Sequence, residues 1–490
     1  MAVRKNLSQM GIAHLISFLL SFGSVVVVSR LLTPLEIGVY SVSVAVLGMA
    51  HIFRDFGVGQ YLVQAREVGR KEFRAAFSVT LYSSWLLAFV LFMAREPLAR
   101  LYDHPGVAEV LSILCINFLI LPFGTPLLAL MQRELQFHYL ATNLWLTNLV
   151  QTVVTIGCAF AGQSYLSMAW GALVAHVVKV VWLNCVRPGE IIMWPTVRGI
   201  GEAFRFGSLA SLASIIRELG SGAPDLILGR TLGFVEVAFL SRANGLKKML
   251  IARVIALVRS VYFPTFASEL RSGVNGAELF SRSMCYLVAI MAPILAVMAV
   301  LAEPLILFLF GSQWERSAPL ASLICVYAMV LTPYTFYSLS LIAAGEVKRN
   351  LAVESVIQAV QVLVLLSSIW LSLEDVVRLF GLVTMAQILC VQRALYRTFG
   401  LRFVDHMRTV FPSLMLVPCS CLGPALAVFY AMSNGLSGYH FPILAVSGLL
   451  AGVGWLTGVF VLRHPMKMEV LTLIGTLNRI CFSRFRQNAK

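Results

Sequence analysis

A chain of 490 residues that is 59% hydrophobic and only 12% charged, with a mean hydropathy of +0.84, falls outside the range of soluble globular domains, where about a quarter of residues are charged. Apolar runs long enough to cross a bilayer recur from end to end, which excludes a soluble Rossmann enzyme or a nucleic-acid-binding module and predicts an all-α integral membrane protein. The net charge of +15 makes no case for nucleic acid, because the Lys and Arg residues sit mainly between the apolar runs.

In chain order, windows of about 20 apolar residues predict spans at Gln9 to Ser29, Ile37 to Phe53, Ala75 to Ala94, Ala108 to Leu130, Leu140 to Ala161 and Ser164 to Val186. The first follows Arg4-Lys5 like a signal peptide, but its length and the lack of an A-x-A site predict an uncleaved span. A polar stretch holding Arg187, Glu190, Pro195 and Arg198 separates these from six more spans, at Phe206 to Leu228, Leu232 to Tyr262, Met284 to Leu301, Ala318 to Ala344, Leu351 to Trp370 and Val376 to Val391. Val410 to Tyr430 and Phe441 to Leu462 complete about 14 transmembrane helices. The nine cysteines are scattered through apolar runs, with neither a disulfide framework nor zinc spacing.

On this map 24 of the 38 Lys and Arg residues fall on one side and 6 on the other, the remaining eight lying inside spans. That bias predicts a multi-pass membrane protein with both termini cytoplasmic.

Two stretches repeat. Residues 29–41, SRLLTPLEIGVYS, align with residues 229–241, GRTLGFVEVAFLS, pairing Arg30 with Arg230 and Glu36 with Glu236 at an offset of 200. At an offset of 211, Pro122, Leu128, Leu130, Leu140 and Ala141 pair with Pro333, Leu339, Leu341, Leu351 and Ala352. The repeats predict two six-helix lobes related by a pseudo-two-fold axis along the membrane normal, plus two C-terminal helices. The corresponding domains are an N-terminal lobe at 1–186, a cytoplasmic linker at 187–205, a C-terminal lobe at 206–400, extra helices 13 and 14 at 401–464 and a basic cytoplasmic tail at 465–490.

Ser29-Arg30-Leu31-Leu32-Thr33-Pro34 with Gly38-Val39-Tyr40, then Asp55-Phe56-Gly57 and Gln64, resemble the start of the bacterial polysaccharide transporter family. These are the O-antigen and exopolysaccharide flippases of the multidrug/oligosaccharidyl-lipid/polysaccharide exporter superfamily. Asp225-Leu226-Ile227-Leu228-Gly229-Arg230, Leu232-Gly233 and Ser241-Arg242-Ala243 repeat the resemblance, while Phe239-Leu240 departs from the family's usual Tyr. The resemblance implies a flippase that carries undecaprenyl-pyrophosphate-linked oligosaccharide repeat units outward by alternating access. It also implies membrane lipid, a polysaccharide polymerase and export proteins as partners, no nucleic acid, and no cofactor beyond a coupling H+ or Na+.

Eight basic residues lie within predicted spans: Arg54, Lys179, Arg217, Arg242, Lys247, Lys248, Arg253 and Arg259. A basic side chain at the bilayer centre costs about 2.5–3.5 kcal/mol on insertion scales and normally faces a bundle interior or wet cavity. Arg242, with Lys247 and Arg217, is the candidate for holding the diphosphate in a central cavity, since guanidinium forks and ammonium charges suit that anion. Arg253 and Arg259 read as snorkelling toward the surface. Glu218 and Asp225, beside Gly220, Gly222 and Pro224, read either as carriers of a coupling ion or as structural partners of Arg217 or Arg242. Arg30, Arg230, Arg54 and Asp55 are candidate gating or interface residues at span ends. Tyr327, Tyr334, Phe336 and Tyr337 can stack on sugars, with ordinary packing the stronger reading, and Gly448, Gly452, Gly454 and Gly458 form overlapping Gly-x-x-x-Gly spacings that bring helices together.

A membrane-embedded enzyme needs catalytic side chains on a sizeable outer loop, which the map does not provide, so the expectation is a non-enzyme. Two alternatives remain: a multidrug/cation antiporter of the same superfamily, expected to place carboxylates in its cavity, and a non-transporting envelope-assembly scaffold.

Overall fold

The computed structural model describes residues 2–55, 69–188, 195–196, 216, 219–436 and 438–472, and among them every regular element is a helix. In chain order these are α1 (Ala2–Leu31), α2 (Pro34–Asp55), α3 (Arg70–Leu101), α4 (Gly106–Ile120), α5 (Thr125–Arg133), α6 (Phe137–Phe160) and α7 (Leu166–Val186). Then follow α8 (219–231), α9 (Phe234–Arg271), α10 (Gly276–Val300), α11 (Ala302–Phe310), α12 (Ser317–Leu331), α13 (Tyr337–Ala343) and α14 (Val347–Leu366). The last are α15 (Leu373–Phe399), α16 (Phe403–Leu414), α17 (Leu416–Ser433) and α18 (His440–Val461).

Eleven stretches of the described residues are helical, long and apolar enough to cross a membrane, so the chain is a multi-pass membrane protein. They correspond to predicted spans 1–6, 9–11, 13 and 14. Of the other three, the seventh lies mostly outside the described residues. The eighth is helical but, as α9, carries six basic residues on 38 and runs about 57 Å at 1.5 Å per residue, far beyond a core of about 30 Å. The twelfth is α15, whose ends carry Glu374, Asp375 and Arg397.

The offset of 211 is a structural repeat. α4 and α12 each have 15 residues, and each ends in a 3-10 turn holding Pro122 or Pro333, at Leu121–Phe123 and Thr332–Tyr334. Proline has no N–H to donate and clashes with the preceding turn, so both spans break and resume as α5 and α13.

Two compact units are distinguished, one of residues 1–241 with 361–376, the other of 242–360 with 377–490. The predicted linker at 187–205 does not separate them, because the second repeat's first segment belongs with α2 (below), and α8 also binds the stretch 361–376. There Gln361 Nε2 donates to Gly220 O at 2.8 Å, and the Thr231 and Ser368 hydroxyls lie 2.7 Å apart. In the first unit, α1 packs on α6 and α6 on α7, where a Cβ at Gly171 would stand 1.9 Å from Thr155 Oγ1. In the second, α10 is wrapped by α12, α16 and α17, and α18 pairs with α17.

Candidate functional site

Within the first unit the two copies of the family motif meet. Thr33 and Glu36 form a capping box at the start of α2: Glu36 Oε2 accepts the Thr33 N–H at 2.6 Å and its hydroxyl at 2.8 Å. Pro34 occupies the first helical position, where its missing donor costs nothing. Ser164 also donates to Glu36. With the turn fixed, Gly38 faces the first residue of α9, and a Cβ there would lie 1.9 Å from Phe234 O. Further along α2, a Cβ on Gly229 would lie 2.7 Å from Val42 Cγ2 and 3.3 Å from Tyr102 Cε1. The glycines of the motif are thus contact residues, and Gly233, at φ +92°, makes the left-handed turn that joins α8 to α9.

Around this contact Tyr102 donates its hydroxyl to Leu226 O at 3.1 Å, and burial raises its phenol above the ordinary range. His104 packs edge-on against Phe234 and Tyr165, and Tyr165 donates to Glu109 Oε2 at 3.0 Å. Arg30 and Arg230 both stand exposed at helix ends. Arg230 faces Asp103 at 3.8 Å with both side chains in solvent, a geometry worth about 0–1 kcal/mol.

In the second unit, Arg242 lies about two turns into α9, half-buried. Its guanidinium carbon is 5.3 Å from the Trp314 ring centroid and 5.8 Å from that of Phe310, both rings being fully buried. Such distances are within cation–π range. Its Nε is buried without a hydrogen-bond partner. Lys247 is half-buried, whereas Lys248 and Arg259 are exposed. Arg259 lies about 38 Å along α9 from its start, past the end of a core of about 30 Å.

Not all candidates can be located this way. Arg217 and Glu218 lie outside the described residues, as do the side chains of Arg54, Asp55 and Arg253 and the motif residues Phe56, Gly57 and Gln64. Asp225 is half-buried on α8.

The four aromatics of the tenth span are packing residues. Tyr334 donates to Gln392 Oε1 at 3.0 Å, Tyr337 to Glu354 Oε1 at 2.8 Å and Tyr327 to Arg378 O at 2.9 Å; Phe336 stacks on Tyr262 at 4.7 Å. The Gly-x-x-x-Gly reading holds for one face of α18 only. A Cβ at Gly454 would stand 2.1 Å from Cys419 O and one at Gly458 3.0 Å from Leu416 Cδ2, while Gly448 and Gly452 have nothing within 4 Å.

Two buried polar systems escaped the sequence reading. His406, fully buried, links α16 to α10 and to the proline break: Nδ1 lies 3.0 Å from Ser281 Oγ and Nε2 3.0 Å from Pro333 O. A carbonyl only accepts, so Nε2 carries the proton. His464, 1% exposed, accepts the Met466 N–H at Nδ1, so its Nε2 donates to Ser413 Oγ at 2.8 Å, and Ser413 in turn donates to Cys285 O at 2.7 Å. The second system is a polar face on α14, formed by Asn350, Glu354 and Gln358. Its signal was the spacing i, i+4, i+8 in an otherwise apolar run, but a reading that looked for formal basic charge passed over it.

The described residues form a multi-pass helical membrane protein in which proline turns break two of the spans. The fold matches that of a solved Lipid II flippase MurJ in an inward closed conformation, with a TM-score of 0.74 at 11% identity, covering 93% of this chain and 98% of that one. It also matches an inward-facing multidrug resistance MATE family transporter, with a TM-score of 0.60 at 15% identity over 81% of this chain and 98% of the other. The chain itself belongs to the polysaccharide biosynthesis protein family, whose model matches residues 27–319, more than half its length. Among curated relatives, the succinoglycan biosynthesis transport protein ExoT of Rhizobium meliloti (strain 1021) is 25% identical over 333 residues, 67% of each chain. The lipopolysaccharide biosynthesis protein WzxC of Escherichia coli (strain K12) is 22% identical over 327 residues, 65% of each. The chain thus matches about two thirds of the length of these relatives.

Proposed function

We propose that the protein is a flippase that moves polyprenyl-diphosphate-linked oligosaccharide repeat units from the cytoplasmic to the outer leaflet of the bacterial inner membrane, for exopolysaccharide or O-antigen assembly. Family membership and a relative named as a succinoglycan transport protein support the substrate class. The observation that carries the mechanism is the meeting of the two motif copies, Gly38 against Phe234 and Gly229 against Val42. In this reading the 14 spans place both termini in the cytoplasm, and the contact is the closed outer gate. Alternating access requires it to part, and a joint closed by backbone-to-glycine packing, the Tyr102 hydroxyl on Leu226 O and an exposed ion pair separates without leaving a buried charge behind.

Arg242 is the handle for the diphosphate. Trp314 and Phe310 lie within cation–π range of the guanidinium, and a planar fork restrained by them offers N–H groups to phosphate oxygens at little further entropy cost. A diphosphate of about −2 charge moving outward through an inside-negative membrane gains about 4–5 kcal/mol per 100 mV when uncompensated, so selection by a basic group and driving by the potential act in the same direction. The test is complementation of a deletion strain. Arg242→Ala is expected to abolish polymer export and leave lipid-linked oligosaccharide in the inner leaflet, whereas Arg259→Ala, on the exposed end of α9, complements fully. Equal export by the two variants would rule out the handle.

A further inference from the structure

His104 stands in the turn between α3 and α4, within the first unit. Asp103, at φ +53°, reverses the chain there, and the Gly106 N–H donates to His104 Nδ1 at 3.0 Å. Only glycine brings its N–H so close, because a Cβ on Gly106 would lie 2.9 Å from His104 Nδ1 and 2.8 Å from Tyr165 Cζ. An acceptor nitrogen carries no hydrogen, so the ring held in this turn is neutral, with its one proton on Nε2.

The same ring reaches the joint between the motif copies. Its centroid lies 5.3 Å from that of Phe234 at an interplanar angle of 72°, and 6.0 Å from that of Tyr165 at 81°. Phe234 is buried, its ring lies 6.2 Å from that of Tyr102, and its carbonyl oxygen is the atom that Gly38 packs against. One imidazole thus links a hydrogen bond that requires the neutral ring to the residue that closes the joint.

Imidazole is the side chain that ordinarily changes charge between pH 5 and 8. A proton added at Nδ1 turns that nitrogen from acceptor to donor. Two N–H groups would then face each other across 3.0 Å, so the ring has to leave the turn. The groups around it are mostly carboxylates. Asp103 on its own turn and Glu109 on α4 are both exposed; α2 contributes Glu36, bonded to Ser164, and α9 contributes Glu236 in its first turn. The cations are Arg100 at the end of α3 and Arg230, which faces Asp103. Tyr165 adds a hydroxyl already donated to Glu109. The exposed carboxylates draw an imidazolium outward, away from buried Phe234.

We infer that His104 is an acid-sensitive latch on this joint: neutral, it braces Phe234 and with it the contact to Gly38; protonated, it leaves the turn and the joint loosens. That the latch regulates the outer gate rests on the flippase reading, in which acid on the outer side favours parting of the gate. The loosening itself does not rest on it, and is measured without substrate.

The purified full-length protein in detergent is compared at pH 7.5 and 5.5 by hydrogen–deuterium exchange read by mass spectrometry, with each rate corrected for the chemical exchange rate at that pH. Residues 34–42 and 226–236 report the joint, and α12 in the second unit is the reference. Acid is expected to raise the corrected exchange of the joint by about tenfold, the effect of one lost hydrogen bond, and to leave α12 unchanged. His104→Gln offers Gly106 an amide oxygen at either pH and does not titrate, so its joint is expected to show no rise. Exchange of α12 at the wild-type rate at pH 7.5 establishes that the variant is folded. An unchanged wild-type joint, an equal rise in His104→Gln, or an equal rise in α12 overturns the latch. Any of these leaves the flippase assignment standing, since that is judged by complementation alone.

Discussion

At Arg242 the chain places a guanidinium within reach of two buried rings. Its charge was legible in the sequence as a basic residue in an apolar run, but Phe310 and Trp314 were not, because they reach it from a short helix and turn far along the chain. His464 shows the same division. Nothing in its sequence context distinguishes it from the other histidines, yet folding buries it and ties it to Ser413 and, through Ser413, to Cys285 O. Burial pushes its imidazole below the ordinary range, so the folded state favours the neutral ring. The unfolded chain then takes up a proton first as the pH falls through about 6.5. The stability due to this group is complete above that pH, declines below it, and levels off once the folded ring itself protonates. Thermal unfolding of the wild type between pH 7.5 and 5 is expected to show this loss, and His464→Gln to show less of it; an unchanged slope in the variant would assign the titration elsewhere.

Among elements, α18 separates pattern from contact. Four glycines spell the same helix-pairing motif, and the amino-acid string alone ranks them equally. Only the face toward α17 is used, so Gly454→Ala, whose Cβ would strike Cys419 O, is expected to cost about 1–3 kcal/mol through overpacking. Gly452→Ala meets open space and is expected to be neutral or to gain up to about 1 kcal/mol from helix propensity. Denaturation of the two variants in the same detergent measures the contrast. The proline breaks in α4–α5 and α12–α13 were foreshadowed by Pro122 and Pro333 at matched positions, since a missing backbone donor acts locally. The length of α9 was not: the predicted span stopped at Tyr262, whereas the helix runs on to Arg271 because a helix does not end where the membrane does.

For the molecule as a whole, the joint between the motif copies gives a direct test of gating. A Cβ on Gly229 would lie within 4 Å of both Val42 methyl groups, close enough for a disulfide to form without backbone movement. Val42→Cys combined with Gly229→Cys is expected to cross-link under mild oxidation and halt export, with reduction restoring it and either single variant unaffected by oxidant. Export that continues with the bridge formed would show that this contact does not open during transport.

The amino-acid string by itself determined the membrane class, the helical architecture, the internal repeats and the family resemblance. Hydropathy over 20 residues, proline's missing donor and short capping motifs act over one or two turns, so they can be read locally. Tertiary structure alone decided which glycines touch, which rings face Arg242, and that Glu354 is buried beside two unpartnered amide oxygens. Each of those depends on residues tens to hundreds of positions apart meeting in space, and no local signal reports which face of a helix its distant neighbours will cover.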